Sequence, residues 1–161
     1  DLVLSCLSLH WVNDLPGALA QARRLLKPDG LFLAALPATG TLEGLRQALY
    51  RAELAEEGGV SPRVSPFADL RDLGGLMQRA GFAMPVADSE TLTVTYAAPG
   101  RLFDDLRGMG ETNACAARRR APLRRATLAR ALAELEAAER DADGRVVVRV
   151  DLVTLTGWAP A

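Results

Sequence analysis

The stretch that most constrains this chain is its start, Asp1-Leu2-Val3-Leu4-Ser5-Cys6-Leu7-Ser8-Leu9-His10-Trp11. Asp1 to Leu4 form an apolar run led by an acid, the pattern of a buried parallel strand. Small polar residues follow, then a His-Trp pair, then Asn13-Asp14, either of which can cap a helix. Open α/β sheets bind their ligands at the carboxyl ends of such strands. Ser5 to Trp11 therefore either line a pocket or simply pack, with Leu7 and Leu9 in the core and Trp11 on the sheet. A core strand seldom begins at the first residue, so the expectation is the later part of a longer protein.

The next elements complete a crossover. Leu15, Leu19, Ala22 and Leu26 recur at helical spacing, with Pro16 tolerated in the first turn. Lys27-Pro28-Asp29-Gly30 turns the chain, and Leu31 to Leu36 read as a second buried strand. Strand, helix and strand make a right-handed βαβ unit with parallel strands.

Thr41 is placed to cap the next helix, whose apolar face is Leu42, Leu45, Leu49 and Ala52, ending at Glu56-Glu57-Gly58-Gly59. Val60 to Pro66 is a loop, either lid or connector. Ser65-Pro66 opens a further helical stretch with Leu70, Leu73, Met77 and Ala80 on one face. Gly81 is its left-handed cap and Phe82 the accompanying hydrophobic contact. From Thr91 the period becomes two, predicting a strand from Thr91 to Tyr96. Pro99 to Leu106 predict a short helix broken by Gly108-Met109-Gly110. A helix from about Pro122 to Arg140 turns Leu128, Leu132, Leu135 and Ala138 inward. Val146 to Trp158 predict a long final strand. No linker divides the chain into two domains.

Composition narrows the function classes. Net charge is −1 over 161 residues, which gives no overall pull toward nucleic acid. No apolar run reaches the length of a membrane span. Cys6 and Cys115 make no disulfide or metal pattern and fit a reducing compartment. His10 has no acid or thiol close in sequence, so neither a triad nor a metal site is indicated. Gly108 to Asn113 lack the third glycine of a dinucleotide loop and follow a helix, so they read as a flexible loop or a substrate loop. Arg118, Arg119, Arg120, Arg124 and Arg125 read as a solvated face or as a receptor for an acidic partner. The adjacent pairs Glu56-Glu57 and Asp104-Asp105 do not face each other and suggest no acid/base work.

Several of these segments carry a resemblance. Asp1 to Pro16 followed by Leu26-Lys27-Pro28-Asp29-Gly30 resemble the middle of a class I S-adenosylmethionine-dependent methyltransferase. The likeness is strongest to the family of complex I assembly factor 5, and more distant to the malonyl-carrier-protein methyltransferases of biotin synthesis. It continues through Gly40-Thr41-Leu42-Glu43-Gly44-Leu45, Ser61-Pro62, Ser65-Pro66-Phe67, Asp72-Leu73-Gly74, Ala80-Gly81-Phe82, Leu106 to Asn113 and Gly157-Trp158.

The resemblance implies the fold class: α/β, the C-terminal part of a Rossmann-like sheet holding strands 4, 5, 7 and 6, strand 7 antiparallel, with a helical insertion. Strand 4 starts at Asp1, strand 5 is Leu31 to Leu36, strand 6 is Thr91 to Tyr96 and strand 7 is Val146 to Trp158. Residues 1–161 form the C-terminal portion of one domain, and the strands carrying the glycine-rich cofactor loop lie outside the chain. The implied cofactor is S-adenosylmethionine. By position, Ser5, Cys6, Leu7, His10 and Trp11 face it, while Thr41, Leu42, Gly108, Met109, Gly110, Glu111 and Asn113 contact substrate; no metal is implied. Arg149-Val150 stand where the family usually has Thr-Tyr, which bears on substrate and not on fold.

The activities implied are methyl transfer, hydroxylation of a protein arginine during complex I assembly, or methylation of a malonyl group on a carrier protein. A binding module that kept the fold without the chemistry is the fourth reading. The implied partners are an acidic carrier or a complex I subunit, and an exposed strand-4 edge invites a homodimer. The location is the bacterial cytoplasm, or the mitochondrial matrix in a eukaryote.

Overall fold

The computed structural model describes residues 1–161. The chain runs β1 (Leu2–Cys6), a 3-10 turn (Leu9–Trp11), α1 (Leu15–Leu25), β2 (Leu31–Pro37), α2 (Glu43–Glu57), α3 (Leu70–Arg79), β3 (Ala83–Tyr96), α4 (Arg101–Gly108), α5 (Arg125–Ala138) and β4 (Val146–Trp158). The four strands form one sheet in the order β1-β2-β4-β3. β1 pairs parallel with β2, Leu2 opposite Leu31 and Cys6 opposite Ala35. β4 runs antiparallel to β2, with Trp158 opposite Leu31 and Leu152 opposite Pro37. This is the 4-5-7-6 order that the resemblance implies, including the reversed strand.

Two compact units divide the chain. The first comprises Asp1–Thr41, Phe67–Leu92 and Val150–Ala161. Its core is apolar. Phe32, Ala34 and Leu36 alternate along one face of β2 and meet Val153 and Leu155 of β4. Leu19 of α1, and Leu73 and Met77 of α3, join the same cluster. The Phe32 and Phe82 rings lie 5.0 Å apart. Asp14 caps α1 by accepting from the Gly17 N–H at 2.9 Å. A Schellman motif ends α3: the Gly81 N–H bonds Gln78 O, the Phe82 N–H bonds Met77 O, and Gly81 has φ +84°.

The second unit comprises Leu42–Pro66 and Thr93–Arg149. Leu45, Ala48, Leu49 and Ala52 of α2 are buried, as are Ala131 and Leu135 of α5. The two helices pack together at Gly44, where an added Cβ would make ordinary contact with the Leu135 side chain at 3.6 Å. Charge fixes the rest. Glu53, 1% exposed, accepts from the Ser61 N–H and Oγ and from Arg63. Glu57 accepts from Thr127 Oγ1 at 2.8 Å and pairs with Arg119.

Several boundaries differ from those read in the sequence. Thr41 does not cap α2; the cap position is Leu42, in a left-handed conformation without a side-chain bond. The helix expected from Ser65-Pro66 begins at Leu70, because Asp69 caps it by accepting from the Asp72 N–H at 2.7 Å. Leu70 is exposed, not inward. The strand expected at Thr91 already begins at Ala83. The last helix starts at Arg125, and its buried face is Thr127, Ala131 and Leu135, leaving Ala138 exposed.

Candidate functional site

The first unit presents the tip of β1. β1 ends at Cys6, and Leu7 then takes a left-handed backbone, φ 49°. A residue with a Cβ pays about 1 kcal/mol or more for that conformation. The Leu7 N–H still donates to Ala35 O at 2.8 Å, so the strained residue is pinned to β2. The side chains of Cys6 and Leu7 are exposed, as Leu2 and Leu4 are on this end strand of the sheet. Ser5 and Ser8 share a hydroxyl hydrogen bond of 2.8 Å across this corner. The 3-10 turn then closes with Trp11 N–H to Ser8 O and Val12 N–H to Leu9 O, both 3.1 Å.

That turn sets out an aromatic group. The His10 ring lies 5.1 Å from the Trp11 ring and 6.2 Å from the Phe67 ring. Trp11 is 40% exposed. Ser5, Cys6, Leu7, His10 and Trp11 are thus gathered at the carboxyl end of β1, the expected ligand end of a parallel pair.

Thr41 belongs to the same unit, at the far end of the loop after β2. It is buried, and its hydroxyl is committed: it donates to Asp151 O and accepts from the Asp151 N–H, both 3.0 Å. Beside it, the Asp151 carboxylate accepts from Thr91 Oγ1 at 2.6 Å.

The other residues assigned to substrate lie in the second unit. Leu42, φ 57°, is half-buried at the head of α2. Gly108, Met109 and Gly110 end α4 in a second Schellman motif, with the Gly110 N–H on Arg107 O and the Glu111 N–H on Leu106 O. The φ of +79° at Gly110 thus has a structural cause. Met109 is exposed. Asn113 Nδ2 donates to Pro62 O at 2.8 Å, and its Oδ1 accepts from the Cys115 N–H. This ties the Gly-Met-Gly loop to the 60–66 connector. Of the arginine cluster, Arg118 bonds Cys115 O and Arg119 is taken by Glu57.

Sequence reasoning missed two carboxylates. Glu53 falls one position after Ala52 on the apolar stripe of α2, and a charge on such a stripe signals a buried pair. Burial alone would push its carboxyl up, but Arg63 and Ser61 outweigh this and hold it below its ordinary value. Asp151 sits in a strand otherwise rich in valine and leucine, with no local signal of its role. No group of three or more His, Cys, Asp or Glu comes together as a metal site.

Comparison with known proteins identifies the family. A family model for the methyltransferase domain matches residues 1–85, and the chain belongs to that family. Its relatives include proteins named as arginine-hydroxylases and as malonyl-[acyl-carrier protein] O-methyltransferases. It is 46% identical to the human mitochondrial arginine-hydroxylase NDUFAF5 over 158 residues, covering 98% of this chain and 46% of that protein. It is 39% identical to the malonyl-[acyl-carrier protein] O-methyltransferase of Halorhodospira halophila, covering 98% of this chain and 52% of that one. The chain therefore spans about half the length of these relatives. Among solved structures, YcgJ of Bacillus subtilis superposes with a TM-score of 0.58 at 14% identity, over all of this chain and 64% of its own. BH2331 of Bacillus halodurans, a candidate methyltransferase, gives 0.57 at 13% identity, over 99% and 70%. At such identities the likeness concerns fold alone.

Proposed function

We propose that this chain forms one wall of the cofactor crevice of an S-adenosylmethionine-dependent methyltransferase. The observation that carries the reading is the tip of β1. There a strained Leu7 is pinned to β2, and Cys6, Leu7, Ser8 and Trp11 are exposed at the carboxyl end of a parallel pair, with Ser5 and His10 half-buried beside them. The exposed Cys6, Leu7 and Trp11 side chains offer apolar contact, while the Ser5–Ser8 pair offers hydroxyls. These residue types fit the methionine end of the cofactor. When bound, S-adenosylmethionine supplies an activated methyl group. The chain's own part is to orient the reactants and exclude water from between them. The reading keeps Leu42 and the loop from Gly108 to Asn113 as substrate contacts.

A second reading has the whole protein hydroxylate a protein arginine, with a complex I subunit as partner. The 46% identity to an arginine-hydroxylase favours it over the malonyl-carrier alternative, whose relative is 39% identical. The arginine cluster lends the carrier alternative less support, because Arg119 is already paired with Glu57. No helix is long and apolar enough to cross a membrane. The relatives named as arginine-hydroxylases are mitochondrial, which favours the matrix if the chain is eukaryotic.

The test uses the full-length protein. Calorimetry with S-adenosylhomocysteine is expected to give saturable binding that Trp11→Ala weakens. Absence of binding in the wild type rejects both readings. Mass spectrometry of co-purified partners then separates them, since a methyl gain and an oxygen gain differ in mass.

A further inference from the structure

Asp151 lies where β4 passes the carboxyl end of β2, one residue before the Leu152–Pro37 pair. Its backbone is held three ways. Its carbonyl accepts from the Ala38 N–H at 2.8 Å and from the Thr41 hydroxyl, which in turn accepts from the Asp151 N–H. The side chain is held as well, with Oδ1 receiving the Thr91 hydroxyl at 2.6 Å. The second oxygen, Oδ2, lies over Gly40. A Cβ there would fall 1.8 Å from Oδ2, and Gly40 has φ +106°. Space and backbone conformation both demand glycine at that position. The fold therefore fixes a carboxylate at the end of the sheet where Ser5 to Trp11 also lie. No arginine or lysine neutralises it, since Asp151 takes part in none of the chain's ion pairs. It is half-buried, which strengthens its field relative to a surface acid.

We propose that Asp151 is a specificity-determining residue: through Oδ2 it accepts a hydrogen bond from a positively charged group of the acceptor substrate, and it repels anionic acceptors. The proposal rests on the reading above, that the reaction takes place at the carboxyl end of this sheet. Thr91 is its positioning residue, holding Oδ1 while Oδ2 rests beside Gly40 with no hydrogen-bond donor of the chain's own. A charge-assisted bond of this kind favours a guanidinium or ammonium, and like charge disfavours a malonyl carboxylate.

The experiment compares full-length wild type with Asp151→Asn, each saturated with S-adenosylhomocysteine. Two probes are titrated, Nα-acetyl-arginine methylamide and monomethyl malonate. The isosteric amide keeps the shape and removes the charge. The expected result is unchanged S-adenosylhomocysteine affinity, at least about tenfold weaker binding of the arginine probe, and tighter binding of the malonate probe. A merely structural role would move both probes in the same direction. Equal binding of the arginine probe by wild type and variant overturns the proposal. So does a wild type that binds S-adenosylhomocysteine and not the arginine probe. Failure of the wild type to bind S-adenosylhomocysteine overturns the functional reading itself, and the proposal with it. Asp151→Ser provides the same comparison if the asparagine variant does not fold.

Discussion

The unit that carries the strand tip buries Phe32, Leu36, Met77 and Leu155, and its core cluster contains no charged group. The other unit buries a carboxylate, Glu53, and lines its two long helices with ion pairs: Arg51 and Arg130 on Glu134, and Arg130 on Glu56. Both units are cores in the sense of excluding water. They differ in what holds them. Apolar burial is set by area and shape and is insensitive to pH and to moderate salt. A buried carboxylate is stable only while its partners remain. The first unit should therefore respond to volume changes, and the second to charge, pH and pairing.

The largest expected effect falls in the first unit. Phe32, 1% exposed, packs on Phe82 and the β4 side chains. Phe32→Ala is expected to cost about 3–5 kcal/mol, the transfer term plus the cavity left behind. Urea unfolding measures the loss, and hydrogen exchange should place it in amides of the first unit. The loss should be the same at low and high salt. A strong salt dependence would mean that charge, and not apolar burial alone, holds the first unit.

The next effect belongs to the second unit. Arg63→Ala leaves Glu53 buried with Ser61 as its remaining partner. Removing one member of such a pair costs about 3 kcal/mol. The same pair gives a pH dependence of known sign. The folded Glu53 carboxyl is held below its ordinary 4.5, so the unfolded chain binds its proton more tightly. The contribution is complete above about pH 4.5 and is lost as pH falls through the lower folded value. Glu134, lowered first by its bond from Arg51, moves in the same direction. Acid titration followed by exchange should loosen the second unit before the first. In Arg63→Ala the acid transition of that unit should become shallower, since less of the carboxylate's advantage is left to lose.

Gly157→Ala tests shape in the first unit. A Cβ there would lie 2.9 Å from Met77 Cε and 3.0 Å from Phe82 Cβ. The methionine end can yield, but the Phe82 Cβ is fixed by its backbone. Overpacking of about 1–3 kcal/mol is expected, read as a fall in the urea midpoint with no change in salt response. A neutral or stabilising result would mean this core has slack that its close packing does not suggest.

The legibility of the two units in the sequence follows the same division. Leu19, Phe32 and Leu155 announce themselves by period, because burial on one face of a helix or strand repeats locally. The strand order is not in any period. It is readable only through the family resemblance, carried by the Leu26 to Gly30 motif and, more specifically, by the Ser-Leu-His-Trp and Gly-Met-Gly-Glu segments together. The missed features are pairings between distant positions. Thr41 has the composition of a helix cap, but its hydroxyl goes instead to the Asp151 backbone on a strand 110 residues away. Asp151 depends on Gly40, and Gly40 reads locally as an ordinary turn glycine. Glu53 lay in view on an apolar stripe, yet its partners Ser61 and Arg63 belong to a loop without periodicity. Leu70 has the spacing of the inner face, but the Asp69 cap makes it the first residue of the helix, where the chain still lies in solvent. The final strand shows the limit of period alone. Its buried residues are Val146 and Val148, then Val153 and Leu155, so the buried register shifts from even to odd where the strand passes from one unit to the other.

The smallest effect is the most discriminating for the charged unit. Arg130 bonds Glu56 at 3.2 Å and approaches Glu134 at 3.5 Å, with its side chain 47% exposed. Exposed pairs contribute from nothing to about 1 kcal/mol, and screening operates over about 10 Å at 0.1 M salt. Glu134 also keeps Arg51, so loss of Arg130 leaves no orphan charge there. Arg130→Ala is thus expected to cost about 0.5 kcal/mol at low salt and nothing measurable at high salt. If it costs as much as Arg63→Ala, the surface ladder and the buried pair act as one network, and a double-mutant cycle between Arg63 and Arg130 should then show coupling. If it costs little, the strength of the second unit lies in the single carboxylate taken out of water. The arginines along the two helices then serve mainly to keep their apolar faces in register.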